Sequence, residues 1–158
     1  HIFVDASNIA FGAPEGRALP VERVHEFVHR RRTVEESTVV GSASLRPSDW
    51  EAHGYRVLRD PRRGREIFVD EALQAQVMLT AQKTFRPARV LVLLTGDGNR
   101  NRDRATFLDC VNVALQHGWR VEVCSWRASL HHAYLGFAEQ YPERCVVSYL
   151  DDAGLFDR

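Results

Sequence analysis

The stretches HIFVDASN (residues 1–8) and RVLVLLTGDGN (residues 89–99) decide the fold. Each contains a short continuous apolar run, which is typical of a strand covered on both faces of a parallel sheet. Each run leads to an aspartate, Asp5 in the first stretch and Asp97 in the second. Ligands of open parallel sheets bind beyond the carboxyl ends of the strands, where strand order reverses. If the two strands are central neighbours, their carboxylates converge at that edge.

Around these two runs, strand-like and helix-like segments alternate along the chain. Apolar residues at helical spacing predict four longer helices and a short one, within residues 21–32, 68–85, 103–118, 128–141 and, for the short one, 46–54. Further strands are predicted within residues 37–44, 55–60, 119–126 and 144–150. The alternation predicts a three-layer α/β/α sandwich with a mainly parallel central sheet. We expect one domain over residues 1–158, excised from a longer chain because a strand begins at once.

The composition of the chain limits the classes of protein to which it can belong. The 21 basic and 21 acidic residues give zero net charge, so overall charge argues neither for nor against nucleic acid. No apolar run approaches the roughly 18 residues that span a bilayer, and we expect no membrane partner. The three cysteines form no CxxC pair and are expected to be buried, reduced thiols of an intracellular protein, cytoplasmic or nuclear. The chain lacks GxGxxG and GxxxxGK[ST], which argues against dinucleotide and P-loop sites.

A third acid, Asp70, falls in the first turn of the helix predicted over residues 68–85. Three carboxylates at one edge would repel one another, and Mg²⁺ or Mn²⁺, which take oxygen ligands, would remove that repulsion. Such an ion can activate water and offset charge on a phosphate, which is the chemistry of phosphodiester hydrolysis. Each aspartate alone also suits a helix N-cap or a turn. The coincidence of Asp5 and Asp97 at two strand ends, with Asn8 nearby, favours the metal site.

Three motifs resemble those of the NYN branch of the PIN-like nuclease superfamily: VDASN (residues 4–8), VDEAL (residues 69–73) and LLTGDGN (residues 93–99). The segment HGWRVEVCSWRASLHHAY (residues 117–134) is similar to the NYN domains of fungal proteins. The resemblance covers nearly the whole chain in order. It implies a Rossmann-like PIN fold, an acidic centre that depends on Mg²⁺ or Mn²⁺, and ribonuclease activity, with internal cleavage favoured over cleavage from an end.

By motif, the resemblance implies four catalytic side chains, namely Asp5, Asn8, Asp70 and Asp97. The three aspartates would hold the metal, and Asn8 would orient water or a substrate phosphate. Family members often carry a second acid two residues after the GD aspartate, where this chain has Asn99. Asp103 is a substitute metal ligand or, equally, the N-cap of the next helix. The absence of an acid at position 99 would weaken metal binding. The alternative function is therefore a catalytically weak or inactive module that binds RNA or a protein partner.

Five residues are predicted to contact the RNA: Ser7, Asn99, Arg100, Trp126 and Arg127. Arg127 could grip a phosphate and Trp126 could stack on an unpaired base, because both follow a strand and so fall at the edge that carries the acids. Structural alternatives stay open. Trp126 could close the core, Ser125 or Ser129 could cap the next helix, and Ser7 could satisfy a local turn.

Three further positions near the motifs have competing interpretations. Thr95 either hydrogen-bonds near the metal or packs in the core, and Glu71 is expected to face solvent. The pair His131 and His132 is expected at the surface or in the core, because metal-activated water needs no catalytic histidine. The expected partner is RNA, single-stranded or structured, with a homodimer or flanking RNA-binding domains left open.

Overall fold

The computed structural model describes residues 1–14, 17–41, 46–58, 69–85, 87–98 and 105–157, without the side chains of residues 69 and 70. The strands are β1 (Ile2–Asp5), β2 (Ser37–Val40), β3 (Arg56–Leu58), β4 (Val90–Leu94), β5 (Arg120–Ser125) and β6 (Cys145–Tyr149). The helices are α1 (Ala6–Phe11), α2 (Val21–His29), α3 (Pro47–Glu51), α4 (Val69–Ala81), α5 (Phe107–Gln116) and α6 (Ala133–Gln140), followed by a 3₁₀ turn (Leu150–Ala153). Within these ranges, no helix has the length and apolarity that a membrane crossing requires.

The strands form one parallel sheet in the order β3-β2-β1-β4-β5-β6. Strand order therefore reverses between β1 and β4, so these two strands are central neighbours, which is the condition for Asp5 and Asp97 to converge. Their register places Val4 opposite Leu94, so the residues that follow each strand emerge side by side. The predicted α/β/α sandwich with a parallel central sheet is confirmed.

Two hydrophobic cores explain why the central strands are apolar on both faces. On one face, Phe3 and Leu93 pack with the buried stripes of α4, α5 and α6. On the other face, Val4 and Leu94 pack with α1, α2 and Trp50 of α3. Alternate residues of a strand point to opposite faces, so helices on both sides require a continuous apolar run.

The start of α5 differs from the sequence prediction. The helix begins at Phe107, not at Asp103, and its N-cap is Thr106. The Thr106 hydroxyl accepts a hydrogen bond from the Asp109 amide, and the Asp109 carboxylate accepts one from the Thr106 amide. This reciprocal capping box supplies the helix start, so the interpretation of Asp103 as the N-cap is wrong.

Neither α2 nor α6 begins with a side-chain capping bond. Pro20 is the N-cap of α2 and lies just outside the helix. The N-cap of α6 is His132, without a side-chain capping bond, so neither Ser125 nor Ser129 caps this helix. Ser125 instead ends β5, and its hydroxyl lies 3.5 Å from that of Ser129.

The three cysteines are buried free thiols, as predicted. Burial raises the pKa of Cys110 to about 12 and that of Cys145 to about 11. Burial also raises the pKa of Cys124, and the nearby Glu122 carboxylate adds to that shift. Protonated thiols are poor nucleophiles and poor metal ligands, so these cysteines serve packing.

A cluster of aromatic rings joins α2 to the segment that follows α3. The ring centroid of His25 lies 3.9 Å from that of His29 and 4.8 Å from that of His53. The Tyr55 ring meets both His25 and His29 edge-on. Burial lowers the pKa of His25, and repulsion from His29 and His53 lowers it further. Burial is also the main cause that lowers the pKa of His29.

These lowered pKa values predict a loss of stability in mild acid. The ordinary histidine pKa is 6.5, and a lowered value means that the folded state binds fewer protons than the unfolded state below that pH. We therefore expect the free energy of unfolding to fall as pH drops below 6.5, through the folded-state pKa values. Chemical denaturation between about pH 8 and about pH 5 measures this slope. His25→Gln should flatten it, whereas exposed His117→Gln should not; equal slopes in all three proteins would contradict the prediction.

Candidate functional site

Asp5 ends β1 and at the same time caps α1, the helix that begins at the next residue. The carboxylate is buried, with 2% of the residue exposed. Its Oδ1 accepts a hydrogen bond from the Asn8 amide at 3.0 Å, which is the N-cap bond. Its Oδ2 accepts one from the Thr95 hydroxyl at 3.2 Å. The N-cap interpretation of Asp5 is therefore correct for one oxygen, while the other oxygen reaches across to the end of β4.

Thr95 links the two strand-end aspartates. It follows β4 directly, is fully buried, and lies beside Asp5 because of the β1–β4 register. Its hydroxyl donates to Asp5 and accepts a hydrogen bond from the Asp97 amide at 3.2 Å. Thr95 is therefore packed, and its hydroxyl hydrogen-bonds between the two acids; its position near a metal stays a prediction. The structure brings Asp5 and Asp97 to the point where strand order reverses.

Asn8 ties α1 to the turn that follows β4 (residues 95–98). Its side-chain oxygen accepts a hydrogen bond from the Gly96 amide at 2.7 Å. This bond fixes the amide plane and leaves the NH₂ group as the part of the side chain able to donate to a ligand. The predicted role of Asn8 in orienting water or phosphate stays a prediction. Ser7, its neighbour in α1, is partly buried.

Tyr134 of α6 is a residue of this site that the sequence argument missed. It is fully buried, and its hydroxyl donates to the Asp97 carbonyl at 2.5 Å. Burial raises the pKa of Tyr134, and the negative charges of Asp97 and Asp5 raise it further. Both carboxylates therefore lie near one phenol. The available signal was a hydroxyl-bearing residue on the inward face of the helix predicted over residues 128–141.

The segment before α6 also packs directly on the Thr95–Gly98 turn. The His131 amide donates to the Gly96 carbonyl at 3.0 Å. A Cβ atom on Gly96 would lie 2.6 Å from the Ser125 hydroxyl, and one on Gly98 would overlap the His131 ring. Only glycine lets the turn pass this closely beneath the segment. His131 therefore packs against the site, and its Nδ1 accepts a hydrogen bond from the Ala133 amide.

Asp70 lies in the first turn of α4, as predicted. Helix α4 packs on the sheet through Leu73, Val77 and Ala81. A helix that connects parallel strands begins at the carboxyl edge of the sheet, so its first turn belongs to the edge that carries Asp5. The Asp70 side chain lies outside the described part of the chain. Its neighbour Glu71 is partly buried, so the expectation of a solvent-facing side chain is wrong.

Three predicted site residues lie outside the described ranges: Asn99, Arg100 and Asp103. Their proposed contacts with metal and RNA therefore stay predictions.

The predicted stacking of Trp126 on a base is wrong. Only 3% of the residue is exposed, and its indole nitrogen donates to the Ile9 carbonyl at 2.7 Å. Its ring stacks on Phe156, with centroids 6.0 Å apart. A Cβ atom on Gly12 would lie 2.5 Å from the indole. Trp126 closes the core beneath α1, which is the alternative that the sequence left open.

Arg127 has partners of its own at the β6 side of the sheet. Its guanidinium pairs with Asp152 and lies 3.9 Å from the centroid of the Tyr149 ring, and its amide donates to Asp151 at 2.8 Å. About half of the side chain is exposed, so a phosphate would compete with Asp152 for it. The described contacts of Arg127 do not include Asp5 or Asp97. Its contact with RNA stays a prediction.

The donors at the β1–β4 edge suit a hard cation in kind. Asp5 and Asp97 supply carboxylate oxygens, which Mg²⁺ and Mn²⁺ prefer. The buried Asp5 carboxylate is oriented by the hydrogen bonds that it accepts from the Asn8 backbone amide and the Thr95 hydroxyl. Among the side chains that the structure describes, no three His, Cys, Asp or Glu groups are close enough to hold a metal. A complete site would need Asp70, Asp103 or substrate oxygens in addition.

Comparison of the chain with protein-family models, curated proteins and solved structures finds no match. The resemblance of its motifs to NYN domains therefore stays a prediction.

Proposed function

We propose that this protein is a metal-dependent ribonuclease that hydrolyses RNA phosphodiester bonds at the β1–β4 edge, with Mg²⁺ or Mn²⁺ as cofactor. One observation carries the proposal: β1 and β4 end where strand order reverses, and there the Thr95 hydroxyl bonds both the Asp5 carboxylate and the Asp97 backbone amide. This is the position where open α/β sheets bind ligands. The motif resemblance supports RNA as the substrate and internal cleavage as the mode.

In the proposed mechanism, the protein supplies oxygen ligands and holds them in place. A bound divalent cation would activate water and offset charge on the phosphate. Asp5 and Asp97 would ligate it, with Asp70 as a third acid from α4. Thr95 orients one Asp5 oxygen by donating to the other, and the Asn8 NH₂ group would donate to water or to a phosphate oxygen.

A second candidate function is a weak or inactive module that binds RNA or a protein partner. The observation that favours it is Asn99, a neutral residue at a position where the resembling family often has an acid. With one acid fewer, the site would hold a cation less tightly. This candidate predicts binding that is insensitive to Mg²⁺ and Mn²⁺, with no RNA cleavage.

The decisive experiment incubates a labelled single-stranded RNA with the protein in Mn²⁺, in Mg²⁺ and in EDTA. Asp97→Asn is the test variant, because asparagine has nearly the size of aspartate and keeps the backbone groups that bond Thr95 and Tyr134. We expect metal-dependent cleavage by the wild type and at least about 100-fold slower cleavage by Asp97→Asn. Mutation of residues that only hydrogen-bond to metal ligands already lowers metal affinity or activity by about 10–100-fold.

The matched control is Asp49→Asn, the same chemical change at an exposed residue of α3. It should cleave as the wild type does, and circular dichroism should show all three proteins folded. Cleavage that survives in folded Asp97→Asn would refute the proposal. Metal-independent binding without cleavage would favour the second candidate.

Tyr134→Phe should lower the cleavage rate about tenfold or more while the protein stays folded. The substitution removes only the hydroxyl that donates to the Asp97 carbonyl. Asp97 is then held less firmly in the position from which it would ligate the metal. Loss of one hydrogen bond costs about 1 kcal/mol of unfolding free energy. The Mn²⁺ concentration for half-maximal cleavage should rise, which a purely structural role would not produce.

The control for this variant is Tyr141→Phe, the same change at the C-cap of α6, where the Tyr141 ring lies 5.0 Å from the Arg144 guanidinium carbon. Its metal dependence should equal that of the wild type. If both tyrosine variants behave alike, Tyr134 has no role in positioning the acids.

A further inference from the structure

Phe11, at the end of α1, is the most exposed large hydrophobic side chain in the described part of the chain. It is 90% exposed, and Leu79 follows with 59%. Single exposed apolar residues are common and need no explanation by themselves. The position of Phe11 is what gives this one meaning, because α1 also carries Asn8 and begins at Asp5.

Helical geometry places Phe11 on the polar side of α1. At about 100° per residue, the Phe11 direction falls between those of Ser7 and Asn8 and opposite the buried residues Ala6 and Ile9. Asn8 itself contacts the Gly96 amide at the end of β4. Phe11 lies three residues further along, about 4.5 Å of helical rise. The ring is therefore about one turn of α1 away from the candidate site.

The position of the ring is held by the core beneath α1. The Trp126 indole donates to the Ile9 carbonyl at 2.7 Å, and Gly12 packs against the Trp126 ring. Phe11 is thus an exposed aromatic on an anchored helix, in a fixed relation to Asp5. A protein partner is the less suitable occupant, because the neighbours of Phe11 on this face are Ser7 and Asn8. Protein docking sites need a contiguous apolar patch.

We propose that Phe11 is a stacking platform for an unpaired base, which makes single-stranded RNA the substrate class of the site. The inference rests on the proposed ribonuclease function. A phenyl ring stacks on any base and has no hydrogen-bonding group, so it would hold the strand without reading its sequence. Bases within a duplex are stacked on one another and cannot engage the ring in the same way. The base would lie one helical turn from Asn8 and six residues, about 9 Å of helical rise, from Asp5.

The test measures RNA binding by fluorescence anisotropy in EDTA, where metal-dependent cleavage cannot proceed. Wild type, Phe11→Ala, Phe11→Leu and Phe11→Trp are compared on a labelled single strand and on its fully paired duplex. We expect Phe11→Ala and Phe11→Leu to bind the single strand about tenfold more weakly, within the range for one stacked base. Phe11→Trp should bind as tightly as the wild type or tighter. Duplex binding should change in none of them.

Leucine is the informative substitution, because it keeps an apolar side chain and removes the aromatic face. A partner that needs only apolar surface would tolerate Phe11→Leu, and a base would not. Leu79→Ala is the surface control and should bind as the wild type does. Because Phe11 is almost wholly exposed, all of these variants should fold.

Cleavage assays in Mn²⁺ separate this inference from the proposed function. Phe11→Ala should raise KM for the single strand about tenfold with little change in kcat. If the wild type cleaves and Phe11→Ala has an unchanged KM, the stacking role of Phe11 is wrong and the ribonuclease function is supported. If the wild type binds single strands through Phe11 but cleaves no RNA, the ribonuclease function is wrong and the stacking role of Phe11 is supported. Absence of RNA binding by the wild type overturns the platform.

Discussion

Asp5→Asn is expected to reduce RNA cleavage by at least about 100-fold while leaving the stability of the metal-free protein close to that of the wild type. Asparagine is as good an N-cap as aspartate, so its oxygen can still accept from the Asn8 amide. Its NH₂ group can donate to the Thr95 hydroxyl, which reverses the direction of the second hydrogen bond. Asparagine also has nearly the volume of aspartate, so packing at this buried position is preserved.

The measurement pairs cleavage with thermal unfolding in EDTA and in Mn²⁺. A cation that binds the folded state raises the Tm of the wild type, and this rise should vanish in Asp5→Asn. Asp5→Ala separates the two roles, because it removes the cap as well and should cost about 1 kcal/mol in EDTA. An equal Mn²⁺-induced rise in the wild type and Asp5→Asn would show that Asp5 binds no cation.

Trp126→Ala is expected to lower the free energy of unfolding by about 3–5 kcal/mol, the usual cost of truncating a buried aromatic residue. The Trp126 side chain is buried under α1, stacks on Phe156 and donates a hydrogen bond to the Ile9 carbonyl. Truncation would leave a cavity and an unpaired carbonyl in the same place. Urea denaturation measures the loss.

Trp126→Phe is the control, because it keeps most of the ring and removes the indole donor. It should cost about 1–2 kcal/mol, mainly from the orphaned Ile9 carbonyl. Under conditions where this variant is folded, single-stranded RNA binding should match the wild type. A free energy of unfolding equal to that of the wild type would show that the indole N–H bond to the Ile9 carbonyl contributes nothing to stability.

The layers of the fold and the edge that carries the acids could be predicted because they follow from short-range patterns. Apolar runs such as those of β1 and β4 require cover on both faces, and alternation with helices requires parallel strands. In a parallel sheet, strand-end residues emerge at one edge whatever their side chains. Asp5 and Asp97 could therefore be placed at the same edge from the sequence, whereas their proximity depends on the pairing of β1 with β4.

One local signal was present but was not used. The segment TFLD, with Thr106 three residues before Asp109, is a capping-box pattern at the start of an apolar helical stripe. This pattern predicts that α5 starts at Phe107 and that Thr106, not Asp103, is its N-cap.

By itself, then, the sequence determined the three layers, the parallel sheet and the strand ends that present Asp5 and Asp97. Only the tertiary structure decided which polar groups meet there. Tyr134 reaches the Asp97 carbonyl across 37 residues, and Trp126 turns into the core beneath α1. Both outcomes depend on where α6 and α1 lie on the sheet, which is set by packing between distant segments. Periodicity reports which face of an element is buried, and it carries no information about the partner that buries it.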